Sequence, residues 1–371
     1  MLPTRRSTRV KKSSLQSRVA TIETYFANDS EARFRLEGQI GKGGQGTIYK
    51  LKYLKPRAGS LSRSLVVKIA DPAKGSDVEG LAREKRILQR LQNCRHIVRM
   101  RNSLADPLAP AAQEQGWEWI YLDTLENGTL STFMGRLKRA GHNSLPNRLL
   151  WTVFLCMIRA CIAMAWPSEN PDASETAARQ AGSPTGIAHN DIHGANFVFG
   201  SFERDAEHFT TPIMKLIDFG LAARIRGGEG TESGTGEQRN ILDIGIMMAT
   251  MILLLVDSKY TGEEIEVDMT RLRRGRSVPT PASGILADEE MGIPDPCPDT
   301  EEALRLVVAG CMASNPADRP SLADLETWAS RAVTKKDAAF YTNMPGGARR
   351  EGTAAIAALV QKFMLDADAD T

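Results

Sequence analysis

The chain has 371 residues, 42% hydrophobic and 25% charged, values that fit a globular protein with a sizeable core and exclude chain-wide disorder, a collagen repeat or a disulfide-stapled miniprotein. Its 47 basic and 45 acidic residues leave a net charge of +2, too little to draw the whole molecule to nucleic acid or to an anionic membrane. Five cysteines (Cys94, Cys156, Cys161, Cys297 and Cys311) show no CxxC spacing and read as reduced thiols of a cytoplasmic or nuclear protein.

Met1-Leu2-Pro3 runs into basic residues without an apolar core, so no signal peptide is expected. Arg5, Arg6, Arg9, Lys11, Lys12 and Arg18 precede the first acidic residue, Glu23. Residues 1–32 are therefore expected to form a disordered basic tail, either simply solvated or serving nuclear import or a polyanionic partner. Structure is expected from about Arg33, with Phe34, Leu36, Ile48, Leu51 and Tyr53 in strands on either side of a glycine-rich turn. A third strand is expected over 65–70. Ser76-Asp77-Val78-Glu79 reads as a capping box opening a helix that runs to about Leu91. Further strand signals lie over 97–100 and 117–122.

Beyond Gly128 the pattern turns helical, with helices expected over about 129–140, 147–166, 240–256, 301–313 and 321–332. The greasiest stretches, 151–166 and 245–256, are shorter than the ~20 residues of a membrane span and read as buried core helices. The segments 167–184 and 227–236 read as polar loops. Over 354–365, Ile356, Leu359, Val360, Phe363 and Met364 fall at helical spacing, which predicts an amphipathic helix that docks on the body or binds a partner. The fold class expected is α+β in two lobes: a small β-rich lobe over 33–126, a larger helical lobe over 127–333, and a C-terminal extension over 334–371.

Five groups of residues carry chemistry. Gly41, Gly43 and Gly46 lie in Gly41-Lys42-Gly43-Gly44-Gln45-Gly46, where glycines let backbone amides approach a polyphosphate. A strand rather than a helix continues through Thr47 and Ile48, so the turn is a flap between strands and not a dinucleotide fingerprint. Lys68 stands inside the apolar run 65–70, where a cation is costly unless paired. Glu84 shares a helix stripe with Leu81, Leu88 and Leu91, so it faces the core and is the natural partner of Lys68. Within His189-Asn190-Asp191-Ile192-His193-Gly194-Ala195-Asn196, Asp191 can accept a hydroxyl proton and Asn196 can ligate a metal, while His189 reads as a core histidine. Asp218, in Asp218-Phe219-Gly220 at the end of an apolar strand, offers a hard oxygen ligand suited to Mg²⁺.

In this order and spacing the set resembles the protein kinase family. Asn315-Pro316-Ala317-Asp318-Arg319-Pro320 is similar to a further segment of that family, and the likeness covers roughly residues 34–332. It implies an ATP- and Mg²⁺-dependent enzyme that phosphorylates a hydroxyl of a protein substrate, of serine/threonine type. The resemblance implies that Gly41, Gly43 and Gly46 cover the phosphates and that Ile48, Val66 and Val198 enclose the adenine. Lys68, oriented by Glu84, holds the α- and β-phosphates. Leu122 takes the gatekeeper position, and Asp123-Thr124-Leu125 offer backbone groups to the adenine edge. Asp191 is implied as the catalytic base, with Asn196 and Asp218 as the Mg²⁺ ligands.

Departures from the family pattern leave alternatives. Asn190 replaces a common Arg, and His193 stands where serine/threonine kinases usually carry Lys. The resulting loop resembles that of aminoglycoside and choline phosphotransferases. No Ala-Pro-Glu separates Asp218 from Asp243, so the peptide platform is shortened. Asn240 takes the place of a usual Asp, for which Asp243 can substitute. A small-molecule kinase and a pseudokinase binding module are therefore the alternatives to a protein kinase. Without an Arg at 190, control by phosphates on Thr231, Ser233 or Thr235 is not expected.

Overall fold

Strand alternation builds the first part of the molecule. The computed structural model describes residues 18–54, 64–177, 182–203, 205–225, 234–272, 276–287, 292 and 294–366. In it β1 (Phe34–Gly43), β2 (Gly46–Tyr53), β3 (Ser64–Ile69), β4 (Met100–Arg101) and β5 (Trp119–Asp123) form an antiparallel sheet in the order β1-β2-β3-β5-β4. Tyr49 pairs with Val67 and Val67 with Tyr121, so these side chains share one face. There they form a core with Phe34, Leu51, Ile69 and Trp117.

Two further members of that core, Ile22 and Phe26, come from a helix over residues 18–27, α1. The expectation of a disordered tail through residue 32 is thus corrected: Val19, Ile22 and Phe26 make an apolar stripe at helical spacing, which the basic composition of the preceding residues hid. Asp29 locks the turn after α1, accepting the Arg33 amide at 2.7 Å and the Arg33 guanidinium at 2.9 Å. The residues from Arg5 to Lys12 lie outside the described residues.

Helix α2 (Gly75–Arg90) begins one residue before the expected box, with Lys74 as N-cap and no side-chain cap. Ser76 is already inside the helix, so the Ser76–Glu79 capping box does not form. α3 (Ala109–Gln115), opened by Pro110 and closed by left-handed Gly116, was not foreseen.

Contacts divide the chain into two units, Met1–Gln92 with Val98–Thr124 and Asn93–Ile97 with Leu125–Thr371. The second unit is mainly helical: α4 (Leu130–Arg139), α5 (Asn147–Ala165), α6 (Gly236–Ile252), α7 (Glu302–Cys311) and α8 (Leu322–Lys335), then α9 (Gly347–Glu351) and α10 (Thr353–Val360). Capping boxes fix the starts of α4 (Thr129 with Thr132), α6 (Thr235 with Gln238) and α8 (Ser321 with Asp324). Thr235, one of the considered phosphate acceptors, is thereby spent as a cap; Thr231 and Ser233 lie outside the described residues.

α5 is apolar and long enough to cross a membrane, yet 94% of its apolar window is buried, packed against α6 and α8. Its N-terminus has no cap of its own. Glu351 of α9 supplies one, accepting the Asn147 amide at 2.7 Å and the Arg148 amide at 3.0 Å. The expected C-terminal helix is α10, extended by a wider turn over Gln361–Leu365, and it buries Ile356, Val360, Phe363 and Met364.

Short strands complete the second unit. β6 (Ile187–Ala188) pairs with β9 (Ala223–Arg224), β7 (Phe197–Phe199) with β8 (Met214–Leu216), and β10 (Ile265–Asp268) with β11 (Ser277–Thr280).

Candidate functional site

In the first unit the predicted residues gather on the sheet face opposite the aromatic core. Ile48 pairs with Lys68, Lys68 with Ile120, and Val66 with Leu122, so all five side chains lie on one face. Ile48 and Val66 are half-buried and Leu122 is buried. Lys68 is 2% exposed and Glu84 on α2 is 0% exposed. The Lys68 Nζ donates to Glu84 Oε2 at 2.8 Å, the pair expected from the sequence. Burying either charge alone is prohibitive, so each fixes the other.

The glycine flap is a two-residue hairpin in which Gly43 faces Gly46 and Gly41 faces Ile48. Gly46 has φ +148° and a Cβ there would sit 2.5 Å from the Ile69 carbonyl, so the position requires glycine. A Cβ at Gly44 would meet open space, so folding does not explain that glycine. Gln45 turns inward instead, packing on Gly80 of α2. Asp123 is committed twice: its carboxylate takes two bonds from Arg101 at 2.6 and 2.9 Å, and its amide donates to Arg99.

In the second unit strand pairing assembles the predicted catalytic residues. Because β6 pairs with β9 and β7 with β8, the loop 189–196 must face the segment 217–222. Asn196 immediately precedes β7, and its carbonyl accepts the Ile217 amide at 2.9 Å, next to Asp218. Asn196 also donates through Nδ2 to Asp191 Oδ2 at 3.1 Å. That bond uses the amide nitrogen, so the carbonyl oxygen is the end able to face a cation. Asp191, Asn196 and Asp218 are therefore brought to one end of the paired strands.

Two non-glycine residues here have left-handed backbones, Asn190 at φ 62° and Asp218 at φ 64°. Asn and Asp tolerate this conformation best, and such departures cluster where side chains are aimed for function. Asn190 Nδ2 donates to the Leu221 carbonyl at 3.2 Å, so this residue ties the two loops together. Val198 of β7 is buried and bridges to Thr129. Leu125 approaches the same strand end, with Cδ2 3.5 Å from a Cβ built on Gly200.

His189 is a core histidine, as expected. It is fully buried, its Nε2 is 3.0 Å from the Ile217 carbonyl, and its ring meets Phe219 edge-on at 4.7 Å. Burial pushes its pKa down to about 4, which keeps it neutral. His193 is half-exposed. Its Nδ1 accepts the Ala195 amide at 3.2 Å, and its Nε2 lies 3.1 Å from Asn196 Nδ2 and 3.5 Å from Asp191 Oδ2.

Asn240 of α6 does more than the sequence disclosed. Its Oδ1 accepts the His189 amide at 2.9 Å, and its Nδ2 donates to the Ile187 carbonyl at 2.8 Å, clamping the strand that leads into Asp191. Asp243 does not substitute for it, being paired with Arg239 at 3.3 Å. Arg319 bonds the carbonyls of Ala313 and Gln238, both at 3.0 Å, and so fastens the Asn315–Pro320 segment to α6. A cavity of about 340 Å³ beside His193 and Gly194 is lined by Arg239, Asp243 and Lys259 among others.

Comparison with protein-family models finds none that matches this chain, and comparison with curated proteins finds no match either, so its functional reading rests on these residues.

Proposed function

We propose that the protein is an ATP-dependent protein kinase of the two-lobed type, transferring the γ-phosphoryl group of Mg·ATP to a serine or threonine hydroxyl. The first unit is its N-lobe and the second its C-lobe. The observation that carries the reading is the convergence of Asp191, Asn196 and Asp218 through two interlocked strand pairs. A base, an amide oxygen and a carboxylate oxygen are the donors that a hydroxyl and a Mg²⁺ ion require. The hard-oxygen pair Asn196 and Asp218 suits Mg²⁺, which supplies charge neutralisation on the phosphates when bound. Lys68, held rigid by Glu84, binds phosphate oxygens under the Gly41–Gly46 flap. Asp191 orients the acceptor hydroxyl and takes its proton, while Asn240 and Asn190 hold the loop in register. The hydroxyl acceptor arrives from a protein substrate.

One observation favours a second reading, a small-molecule kinase. The His193 Nε2 faces Asp191 beside a cavity with charges of both signs, which suits a small polar alcohol. The acceptor that carries labelled phosphate separates the two.

The test is Mg·ATP binding by the full chain. A ligand at 100 times its Kd stabilises by about 2.7 kcal/mol, and Asp218→Ala should remove the Mg²⁺-dependent part of the rise in melting temperature. Failure of millimolar Mg·ATP to stabilise the folded parent would refute the proposal in favour of a pseudokinase.

A further inference from the structure

Three side chains that phosphoryl transfer leaves unused meet inside the second unit. His96 comes from the short segment Asn93–Ile97, Cys156 from the middle of α5, and His208 from the connection between β7 and β8. His96 Nε2 lies 3.4 Å from His208 Nε2, and Cys156 Sγ lies 3.4 Å from the same nitrogen. The three atoms are all within 4.8 Å of one another, and no residue of the three is more than 2% exposed.

The opposite ring nitrogens are occupied. His96 Nδ1 is 2.7 Å from Glu175 Oε2, and His208 Nδ1 is 2.9 Å from Asp205 Oδ1. A carboxylate on Nδ1 fixes the proton there and turns the Nε2 lone pair toward the partner atom. Asp205 is anchored in turn by Arg95 at 2.6 Å. The Glu175 side chain is 0% exposed and also accepts the His96 amide at 2.9 Å. In a metal-free cluster with both Nδ1 protons in place, the facing Nε2 lone pairs of His96 and His208 have only the Cys156 thiol hydrogen to share. A cation that accepts all three donors removes that conflict.

We propose that His96, Cys156 and His208 bind a zinc ion, with Glu175 and Asp205 orienting the two imidazoles. With Zn–N near 2.05 Å and Zn–S near 2.3 Å, a tetrahedral centre has N···N edges of about 3.3 Å and N···S edges of about 3.6 Å. The observed 3.4 Å separations match both. Mixed imidazole and thiolate donors suit zinc over the hard cations Mg²⁺ and Ca²⁺. The ion fastens three distant segments to one point. It also bears on Asp218, because the His96 carbonyl accepts the Leu216 amide at 2.9 Å, two residues before that carboxylate. The proposal does not depend on the kinase reading, since it concerns other residues and another measurement.

Full-length protein expressed with zinc and desalted is expected to retain about one zinc per chain by elemental analysis, because three buried protein ligands, two of them oriented by carboxylates, hold the ion. Replacement by Co²⁺ is expected to give thiolate-to-cobalt charge-transfer absorption that Cys156→Ser abolishes. Glu175→Gln, which keeps every ligand, is expected to weaken zinc affinity 10–100-fold in competition with a chromophoric chelator. A folded parent that retains no zinc and binds no cobalt overturns the proposal, as does undiminished zinc affinity in both Cys156→Ser and His208→Gln. Should those variants fail to fold, the zinc content and cobalt spectrum of the parent decide.

Discussion

Replacing Glu84 by Ala removes the carboxylate 2.8 Å from the Lys68 ammonium, which is 2% exposed in an apolar sheet face. Removing one partner of a buried ion pair costs roughly 3–5 kcal/mol, mostly because the remaining charge is unsolvated. With a urea m-value of about 2 kcal/mol/M, the unfolding midpoint of the first unit should fall by about 1.5–2.5 M. Lys68→Met should fall by a similar amount, because the fully buried Glu84 carboxylate loses its ammonium. The double variant Lys68→Met/Glu84→Leu fills the same space with apolar atoms and should return to within about 1 kcal/mol of the parent. Trp117 and Trp119 both lie in the first unit, so their fluorescence follows its unfolding once the three tryptophans of the second unit are changed to Phe. The double variant should nevertheless bind no Mg·ATP, which separates the structural part of the pair from its phosphate contact. A cost below about 1 kcal/mol for Glu84→Ala, or a double variant as unstable as the sum of the singles, would show that Lys68 and Glu84 do not compensate each other's burial.

Other perturbations follow from particular contacts. Glu351→Ala removes the acceptor for two amides at the start of α5 and should destabilise the second unit by about 1–3 kcal/mol, seen as a lower thermal midpoint with α5 still formed. Asn240→Ala frees a buried amide and a buried carbonyl and should cut turnover at least tenfold while leaving nucleotide affinity near that of the parent in a binding titration. The Arg33 guanidinium and amide hold the Asp29 carboxyl below the usual carboxylate range, so this pair adds stability above about pH 4 that is lost as pH falls through the folded-state pKa. Asp29→Asn should therefore be less stable than the parent at neutral pH, and the two stability curves should converge in acid.

Legibility in the sequence followed how local the signal was. Alternation in 65–70 and the stripe on α2 placed Lys68 and Glu84 on facing surfaces, and their pairing follows from charge and burial alone. Helices α4 to α8 were readable because their apolar periodicity spans several turns, and α4, α6 and α8 also start on Thr or Ser caps. α1 was not, because the charge of residues 1–18 dominated the reading of a helix whose stripe is only Val19, Ile22 and Phe26. The cap that Glu351 places on α5 joins residues 204 positions apart, and no local pattern announces it. The same holds for His96, Cys156 and His208, which share no spacing motif and meet only through the fold. Asn240 drew notice as a departure from a family pattern, yet its double bond to the strand before Asp191 needed coordinates.

Phosphoryl transfer assisted by Asp191 is tested most directly by single-turnover transfer from γ-labelled Mg·ATP to a protein acceptor by the parent and by Asp191→Asn. A base aligned with the acceptor hydroxyl contributes roughly 10²–10⁴-fold, so Asp191→Asn should lose about that much with the Kd for Mg·ATP unchanged. Equal transfer by the two proteins, or a parent that binds Mg·ATP and moves no phosphate to any hydroxyl, would contradict it.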